Sequence, residues 1–565
     1  FNFHIINLNK LNYKKLIKKI PLLFLLIFVF IISSCEDYYN FEAKKLDTKA
    51  SKLIEEANTS AFKIDEKIIL ISQALEKLNK LERKYPKTKI AKSLRKNNKI
   101  NNLNSVFENL KKESNLGNIE NQKKQVLTFI KERTYTASTE IKRRNFRTSS
   151  LLILDAAEKS VVEISDPRSK TRLFNKISET RLKLEDKEGA LNTIINSLIF
   201  VDQMHVNLPK KITHLSKIYE ILYYLGENER YKDVEKKIYK IINNEIIFDD
   251  NKSVALAEIA KSNQKINNIN QAKIDIEKAL KLANSSASYL AIAEIQYNMN
   301  DLDLCKKTLL LAKKSAVLTK QEFWNVRELI NISLFANSIN LKEFSKNTLL
   351  EAENFVLINP DERIVLELIQ ASAKIGSINQ AKNLIPLIKP QYEKAFAMSV
   401  IGEELGKRKN LKEMNIYLNQ AISLTPDLTA GNYDRLGLPG FSTKGRIYLK
   451  IAKSYAQVNN FEEAYKLLGL IESDRFYKEG IHDILYLQSK TKKREASKKA
   501  LEILNFGGTI LDNKFLSKIA VIQSISGDIE NSFKTINNVT PSVDLSESLI
   551  NIAIHINLQQ ANPLT

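Results

Sequence analysis

Few residues in this chain could do covalent or metal chemistry. It has two cysteines, Cys35 and Cys305, and five histidines, His4, His205, His214, His482 and His555. No His-Glu-x-x-His or Cys-x-x-Cys spacing occurs, so neither a metal nor another cofactor is expected. His205 and His214 flank a junction near Pro209 and come nearest to a ligand pair. Cys305 stands in an apolar helical register, where a free cysteine usually acts as a small buried hydrophobe. Cys35 differs, because it closes an apolar run and is followed at once by the acidic Glu36 and Asp37. The remaining candidate is TPDLTAGNYDRLGLPGFSTKG, residues 425–445, which is rich in glycine within a chain holding only 15. Its GLPGFSTKG lacks the spacing of a phosphate-binding loop. Long loops between regular elements often carry binding, so Gly431, Tyr433, Arg435, Gly437, Gly440 and Phe441 are the candidate contacts, with an inert insertion as the alternative. No catalytic constellation is expected, and the chain reads as a non-enzyme.

Ahead of Cys35 lie Lys10, Lys14, Lys15, Lys18 and Lys19 without an acidic residue, then the apolar stretch Ile20–Ile32. A basic segment followed by a short apolar one is the layout of a secretory signal, and the stretch is shorter than the ~20 residues that span a bilayer. Ile32-Ser33-Ser34-Cys35 resembles the lipobox of bacterial lipoproteins. That resemblance implies cleavage before Cys35, acylation of its thiol, and a mature protein held by lipid. An uncleaved signal anchor is the other reading. In the family, aspartate after the cysteine can retain a protein in the inner membrane; here Glu36 stands there, which favours the periplasmic face of an outer membrane. Residue 1 is Phe rather than Met, so either the true start lies upstream or the gene model is clipped.

The formal charge of +22 is spread among 87 basic and 65 acidic residues. Interspersed charge of this kind suits anionic headgroups or an acidic partner, and nucleic acid is not expected as a ligand. Lys142, Arg143, Arg144 and Arg147 form the densest basic patch and read as a solvated linker.

The elements are helices, and they repeat. In IAKSYAQVNNFEEAYKLL, residues 451–468, Ile451, Ala452, Tyr455 and Val458 share one helical face, Asn459-Asn460 break it, and Phe461, Ala464 and Leu468 begin a second. The same shape starts at Ile177, Ile259, Ile292, Leu368 and Ile519, and more weakly near Tyr219, Asn331, Ile401 and Asp483. That makes about ten hairpins. They resemble tetratricopeptide repeats, with small residues in the first helix (Ala260, Ala293, Ala452, Ala520) and early in the second (Ala190, Ala272, Ala381, Ala464, Ala496). Asn267-Asn268, Asn300-Asp301, Gly376-Ser377 and Gly527-Asp528 supply the turns. Phe344 and Met414 depart from the pattern by replacing the second small residue. LEKLNKLERKYPKTKIAKSL, residues 75–94, is similar to the helix, Tyr-Pro, helix junction of tetratricopeptide lipoproteins that serve envelope assembly.

The expected fold is therefore an all-α solenoid of tetratricopeptide-like hairpins. Residues 1–34 are the leader, 35–48 the lipidated tether, and 49–150 a helical region of weak repeat character. Residues 151–424 form the solenoid, 425–446 the glycine-rich loop, and 447–565 the C-terminal repeats. Stacked hairpins of this kind are expected to form an extended superhelix with a concave face and no enclosed pocket for chemistry. Tyr223, Tyr224, Phe323 and Trp324, at helical spacing, are expected to pack in the core. The resemblance implies a scaffold in the bacterial cell envelope that binds a protein or peptide, or alternatively a regulator of an envelope enzyme.

Overall fold

The computed structural model describes residues 20–58, 64–113, 116–204, 208–318, 322–358, 360–425, 440–506 and 511–561. Among these, 27 α-helices and no strands occur. The chain divides into two compact units, Phe1–Gln125 and Val126–Thr565.

In the first unit, α1 (Ile20–Asn58) packs along α2 (Ile64–Lys84), and α3 (Lys89–Lys96) and α4 (Lys99–Glu113) complete the group. Ala43, Ala50 and Ala57 recur every seventh residue on α1 and are buried with Ile71, Ala74, Leu78 and Leu81 of α2, so the small residues let the two helices approach closely. The expected tether at 35–48 is thus part of a continuous helix. Tyr85-Pro86 ends α2, and Thr88 caps α3 by accepting from the Ala91 N–H at 3.3 Å, which is the junction read at residues 75–94. Among the described residues no helix is long and apolar enough to cross a membrane.

Helix α5 (Leu116–Lys142) runs across the division between units. Val126, Ile130 and Ala137 of α5 are buried with Ile153 and Leu154 of α6 (Phe146–Val162).

Ten hairpins follow. They are α7 (Pro167–Lys183) with α8 (Lys187–Asp202), α9 (Leu208–Leu225) with α10 (Asn228–Lys240), and α11 (Asp249–Lys265) with α12 (Ile269–Leu282). Next come α13 (Ser286–Asn298) with α14 (Leu302–Leu318), and α15 (Glu322–Ser338) with α16 (Lys342–Ile358). Then α17 (Glu362–Ile375) pairs with α18 (Ile378–Leu384), and α19 (Gln391–Lys407) with α20 (Leu411–Leu424). The last three are α21 (Gly440–Gln457) with α22 (Phe461–Leu468), α23 (Asp474–Thr491) with α24 (Lys493–Phe506), and α25 (Asn513–Ile525) with α26 (Ile529–Ile536). Each sequence repeat named above falls on one of them. All nine of the small alanines picked out from the repeats are fully buried.

Nine of the hairpins turn by one device, and α23–α24, which meet at Lys492, do without it. The last residue of the first helix region takes a left-handed conformation, as at Asn267 (φ 63°), Asn300 (61°), Asn459 (64°), Gly376 (92°) and Gly527 (86°). The next residue sends its N–H back five positions: Asn268 to the Asn263 carbonyl at 2.8 Å, Asp301 to Gln296 at 2.9 Å, Asp528 to Gln523 at 2.9 Å. This closes the first helix in a Schellman motif. In five of the nine, at Asp186, Asp301, Asn410, Asn460 and Asp528, the same residue also caps the second helix, as when Asp301 accepts from the Leu304 N–H at 3.1 Å and Asp186 from the Gly189 N–H at 3.1 Å. One Asn or Asp therefore ends one helix and starts the next, which is why these residues mark the turns in a chain poor in glycine and proline.

The two departures from the repeat pattern have different explanations. Beside Phe344 the small residue is present one position later: Ser345 is fully buried, and the Ser333 Oγ donates to its carbonyl at 2.9 Å. Met414 does occupy the small position, and the opposite helix compensates. A Cβ on Gly406 would lie 2.7 Å from Met414 Sδ, and one on Gly402 would lie 2.5 Å from Leu418 Cδ2.

After α26 comes α27 (Val543–Ala561). It packs along α6 as closely as the two helices of a hairpin pack on each other, and it also touches α25 and α7. Leu545, Leu549, Ile552, Ala553 and Ile556 share one buried cluster with Ile153, Leu154, Ala157 and Leu173. An eleventh hairpin is thus composed of the C-terminal helix and a helix from the start of the unit, and the array closes into a ring. The extended superhelix expected from the repeats is thus bent until its two ends meet. The physical reason is that a terminal repeat leaves an apolar face that must be capped; here α6 and α27 each cover such a face of the other.

Candidate binding cleft

Around the ring, the first helices of successive hairpins touch one another, whereas the second helices make no comparable mutual contacts. The layer with the shorter circumference is the inner one, so the first helices line the ring's interior. A sequence of cross-hairpin ion pairs marks this layer. Glu179 meets Lys217 at 3.1 Å, Glu220 meets Lys265 at 2.9 Å, Lys261 meets Glu294 at 3.0 Å, and Lys453 meets Asp483 at 2.6 Å. Arg172 with Glu547 continues it across the closure. Exposed pairs of this kind contribute roughly 0–1 kcal/mol each; Glu220 differs in being buried.

One cleft of about 310 Å³ opens on this layer, between α15, α17, α19 and α21. Its lining combines three guanidinium groups, from Arg327, Arg363 and Arg446, with the rings of Tyr392 and Phe396. Arg327 forms a two-pronged pair with Glu367, Nε donating at 2.7 Å, and this carboxylate raises the Arg327 pKa. Arg363 pairs with Asp361 at 3.2 Å. Tyr392 Oη donates to Glu393 Oε1 at 3.0 Å. Arg446 is exposed and lies over the Phe396 ring, its Cζ 4.6 Å from the centroid. Among the described residues no carboxylate stands at ion-pair distance from Arg446. A guanidinium held on an aromatic face and turned to solvent is suited to a planar carboxylate. The buried Thr443 and Ile447 line the cleft beside it.

Two of these residues, Thr443 and Arg446, belong to the glycine-rich loop expected at 425–446. Residues 440–446, expected as loop, form the opening turns of α21, which brings Thr443 and Arg446 to the cleft. Gly440 and Phe441 lie within this helix, while Gly431, Tyr433, Arg435 and Gly437 lie outside the described residues. Arg327, Arg363, Tyr392 and Phe396 were not legible as site residues, because they come from repeats 40 or more positions away, and only the ring brings them together.

Of the other candidates, Cys35 falls within the span of α1. Cys305 is fully buried, and burial pushes its thiol up to about 11. His205 lies outside the described residues. His214 and His555 are lowered by burial, and His482 Nδ1 lies 2.8 Å from Asp483 Oδ1. No group of three His, Cys, Asp or Glu residues that could hold a metal occurs among the described residues. Tyr223, Tyr224 and Trp324, expected in the core, are exposed at 40%, 50% and 51%; Tyr224 uses its hydroxyl to bond the Lys265 carbonyl at 2.7 Å. Phe323 is described in its backbone alone. In the basic patch, Arg143 pairs with Glu140 at 3.0 Å and Arg147 Nε donates to the Leu184 carbonyl at 2.7 Å.

The fold and cleft define an all-α protein of tetratricopeptide-like helical hairpins. No family model and no curated protein sequence matches the chain. Among solved structures it is similar to Ton1535 from Thermococcus onnurineus NA1, at 15% identity, covering 72% of this chain and 99% of that one, with a TM-score of 0.24. It is also similar to human IFIT1, in a dimer with m7Gppp-AAAA, at 13% identity, covering 68% and 93%, with a TM-score of 0.25. A signal-transduction ATPase with a tetratricopeptide repeat sensor from Pyrococcus horikoshii is 13% identical, covering 62% of this chain and 51% of that one, with a TM-score of 0.23. None reaches the similarity at which fold or function carries over, so the class rests on the helix pairings themselves.

Proposed function

We propose that this chain is a non-enzymatic scaffold of the bacterial cell envelope, held to lipid through Cys35, and that its ring binds a protein partner by an acidic stretch seated in the cleft. The carrying observation is Arg446, exposed on the Phe396 ring in a cleft that already holds two further guanidinium groups. A carboxylate entering there meets a donor fixed by its aromatic support. The repeat fold supplies area for such a partner on the rest of the inner layer. The membrane assignment is supported by Ile32-Ser33-Ser34-Cys35 after a short apolar run.

Crosslinking in intact cells tests the reading. The native chain is expected to fractionate with membranes and capture a defined partner. Cys35→Ala should shift it to the soluble fraction, and Arg446→Glu should leave it in membranes but lose the partner. An unchanged capture pattern with Arg446→Glu defeats the role given to the cleft.

A further inference from the structure

The outer layer of the ring carries a second unusual surface. Helices α14 and α16 are the outer helices of adjacent hairpins, and Lys313 of one reaches Glu351 of the other at 2.5 Å. They correspond residue by residue: the buried Cys305, Leu309, Ala312 and Ala316 match the buried Ser345, Leu349, Ala352 and Val356, each 40 positions on. At the same offset, Leu310, Val317 and Leu318 match Leu350, Leu357 and Ile358, and all six are exposed. Leu318 and Ile358 are 71% and 78% exposed. Such a row placed twice at equivalent positions is not explained by packing within the ring, whose core uses the opposite face of both helices.

Charge identifies what this face meets. Lys306, Lys307, Lys314, Lys342 and Lys346 are exposed on the same two helices, against the exposed acids Asp303 and Glu343. Protruding aliphatic side chains interleaved with lysine are the composition of surfaces that rest in a lipid headgroup layer, apolar groups entering the acyl boundary and ammonium groups meeting phosphate. A second copy of the chain fits less well, since a two-fold contact sets the same lysines against each other. The outer layer of a ring is also convex, which matches a plane better than it matches an inserted peptide. We infer that the outer face of α14 and α16 docks on an anionic lipid bilayer. The inference rests on the reading that the chain works at a membrane, and it adds a second, reversible contact to the covalent anchor.

Its test does not depend on acylation. The chain from residue 35 onward, carrying Cys35→Ser, is mixed with vesicles of phosphatidylcholine alone or of phosphatidylcholine and phosphatidylglycerol in equal parts. Binding is expected only to the anionic vesicles and should fall with added salt. Leu318→Glu with Ile358→Glu, at positions exposed enough to leave the helices intact by circular dichroism, is expected to weaken it about tenfold or more. Lys306→Gln, Lys307→Gln and Lys314→Gln together should do the same. Equal binding by the variants, or no binding to anionic vesicles, overturns the inference even if Cys35 proves to be acylated. A self-association in sedimentation that the glutamate pair abolishes assigns the face to a second copy, and retention of an acidic protein instead of vesicles assigns it to that partner; both overturn it.

Discussion

Ser150 Oγ donates to the carbonyl of Ala553 at 2.9 Å, joining residues from opposite ends of the second unit. The bond copies one made inside an ordinary hairpin, where Ser532 Oγ donates to the Ala520 carbonyl at 2.7 Å. Ala553 follows Ala520 by one repeat, so α27 stands where the first helix of a next hairpin belongs, and α6 supplies the second. Ser546 Oγ bonds Ser160 Oγ at 2.9 Å and Lys176 reaches Asn551 at 2.9 Å along the same seam.

If this seam closes the ring, damage to it is felt at both ends of the unit. Leu549→Ala, at a fully buried position, is expected to cost about 2–5 kcal/mol. Native-state hydrogen exchange should then show lost protection in α6 and α7 as well as in α25 and α27. Loss confined to α27 would mean that the unit is an open array.

Acid should loosen the ring near α21. Burial works to raise the Glu403 carboxyl, but Lys450, helped by Gln457 and Lys407, outweighs it and holds the group down to about 2. Burial likewise opposes ionisation of Asp483, and His482 and Lys453 bring it to about 2. Folded-state values below the unfolded ones give stability that is complete above the ordinary carboxylate range and is lost as pH falls from about 4.5 toward 2. The Glu403 share is about 2–3 kcal/mol, and that of the more exposed Asp483 is smaller. Asp275 and Glu235, raised by burial, act in the opposite sense. Glu403→Gln should flatten the fall of melting temperature between pH 4.5 and 2, as followed by circular dichroism.

The exchange of small and large residues between α19 and α20 can be tested by a mutant cycle. Gly406→Ala places a methyl 2.7 Å from Met414 Sδ and should destabilise by about 1–3 kcal/mol. Met414→Ala in the same chain makes room again, so denaturant unfolding of the double variant should recover most of that loss. Additive losses would show that the two positions do not share the space.

At the turns, residues other than glycine carry backbone strain. Lys409 has φ 62°, a region costly for side chains with a Cβ by about 1–2 kcal/mol. Lys409→Gly is expected to hold or raise the melting temperature despite the greater freedom of glycine in the unfolded chain. Gly376→Ala should lower it, since φ is 92° and the new Cβ would meet the Arg408 guanidinium at 2.8 Å.

Hairpins were readable one at a time because their causes are local. A face of Ile451, Ala452 and Tyr455 makes a helix amphipathic wherever it lies, and an Asn459-Asn460 pair ends one helix and caps the next with groups only a few positions away. The apolar run ending at Cys35 and the glycine-rich segment were equally visible as patterns.

What the amino-acid order could not display is the pairing of elements far apart along it. Nothing near Val543–Ala561 says that its partner is α6, because any exposed apolar face of the right shape would serve; the curvature accumulated over ten hairpins decides which face arrives there. The cleft follows the same logic, since Arg327 and Arg446 become neighbours only through the stacking of the helices between them. Local hydrogen bonding and hydrophobic periodicity thus determined the repeats, while burial of two apolar faces far apart in sequence determined the ring and the site within it.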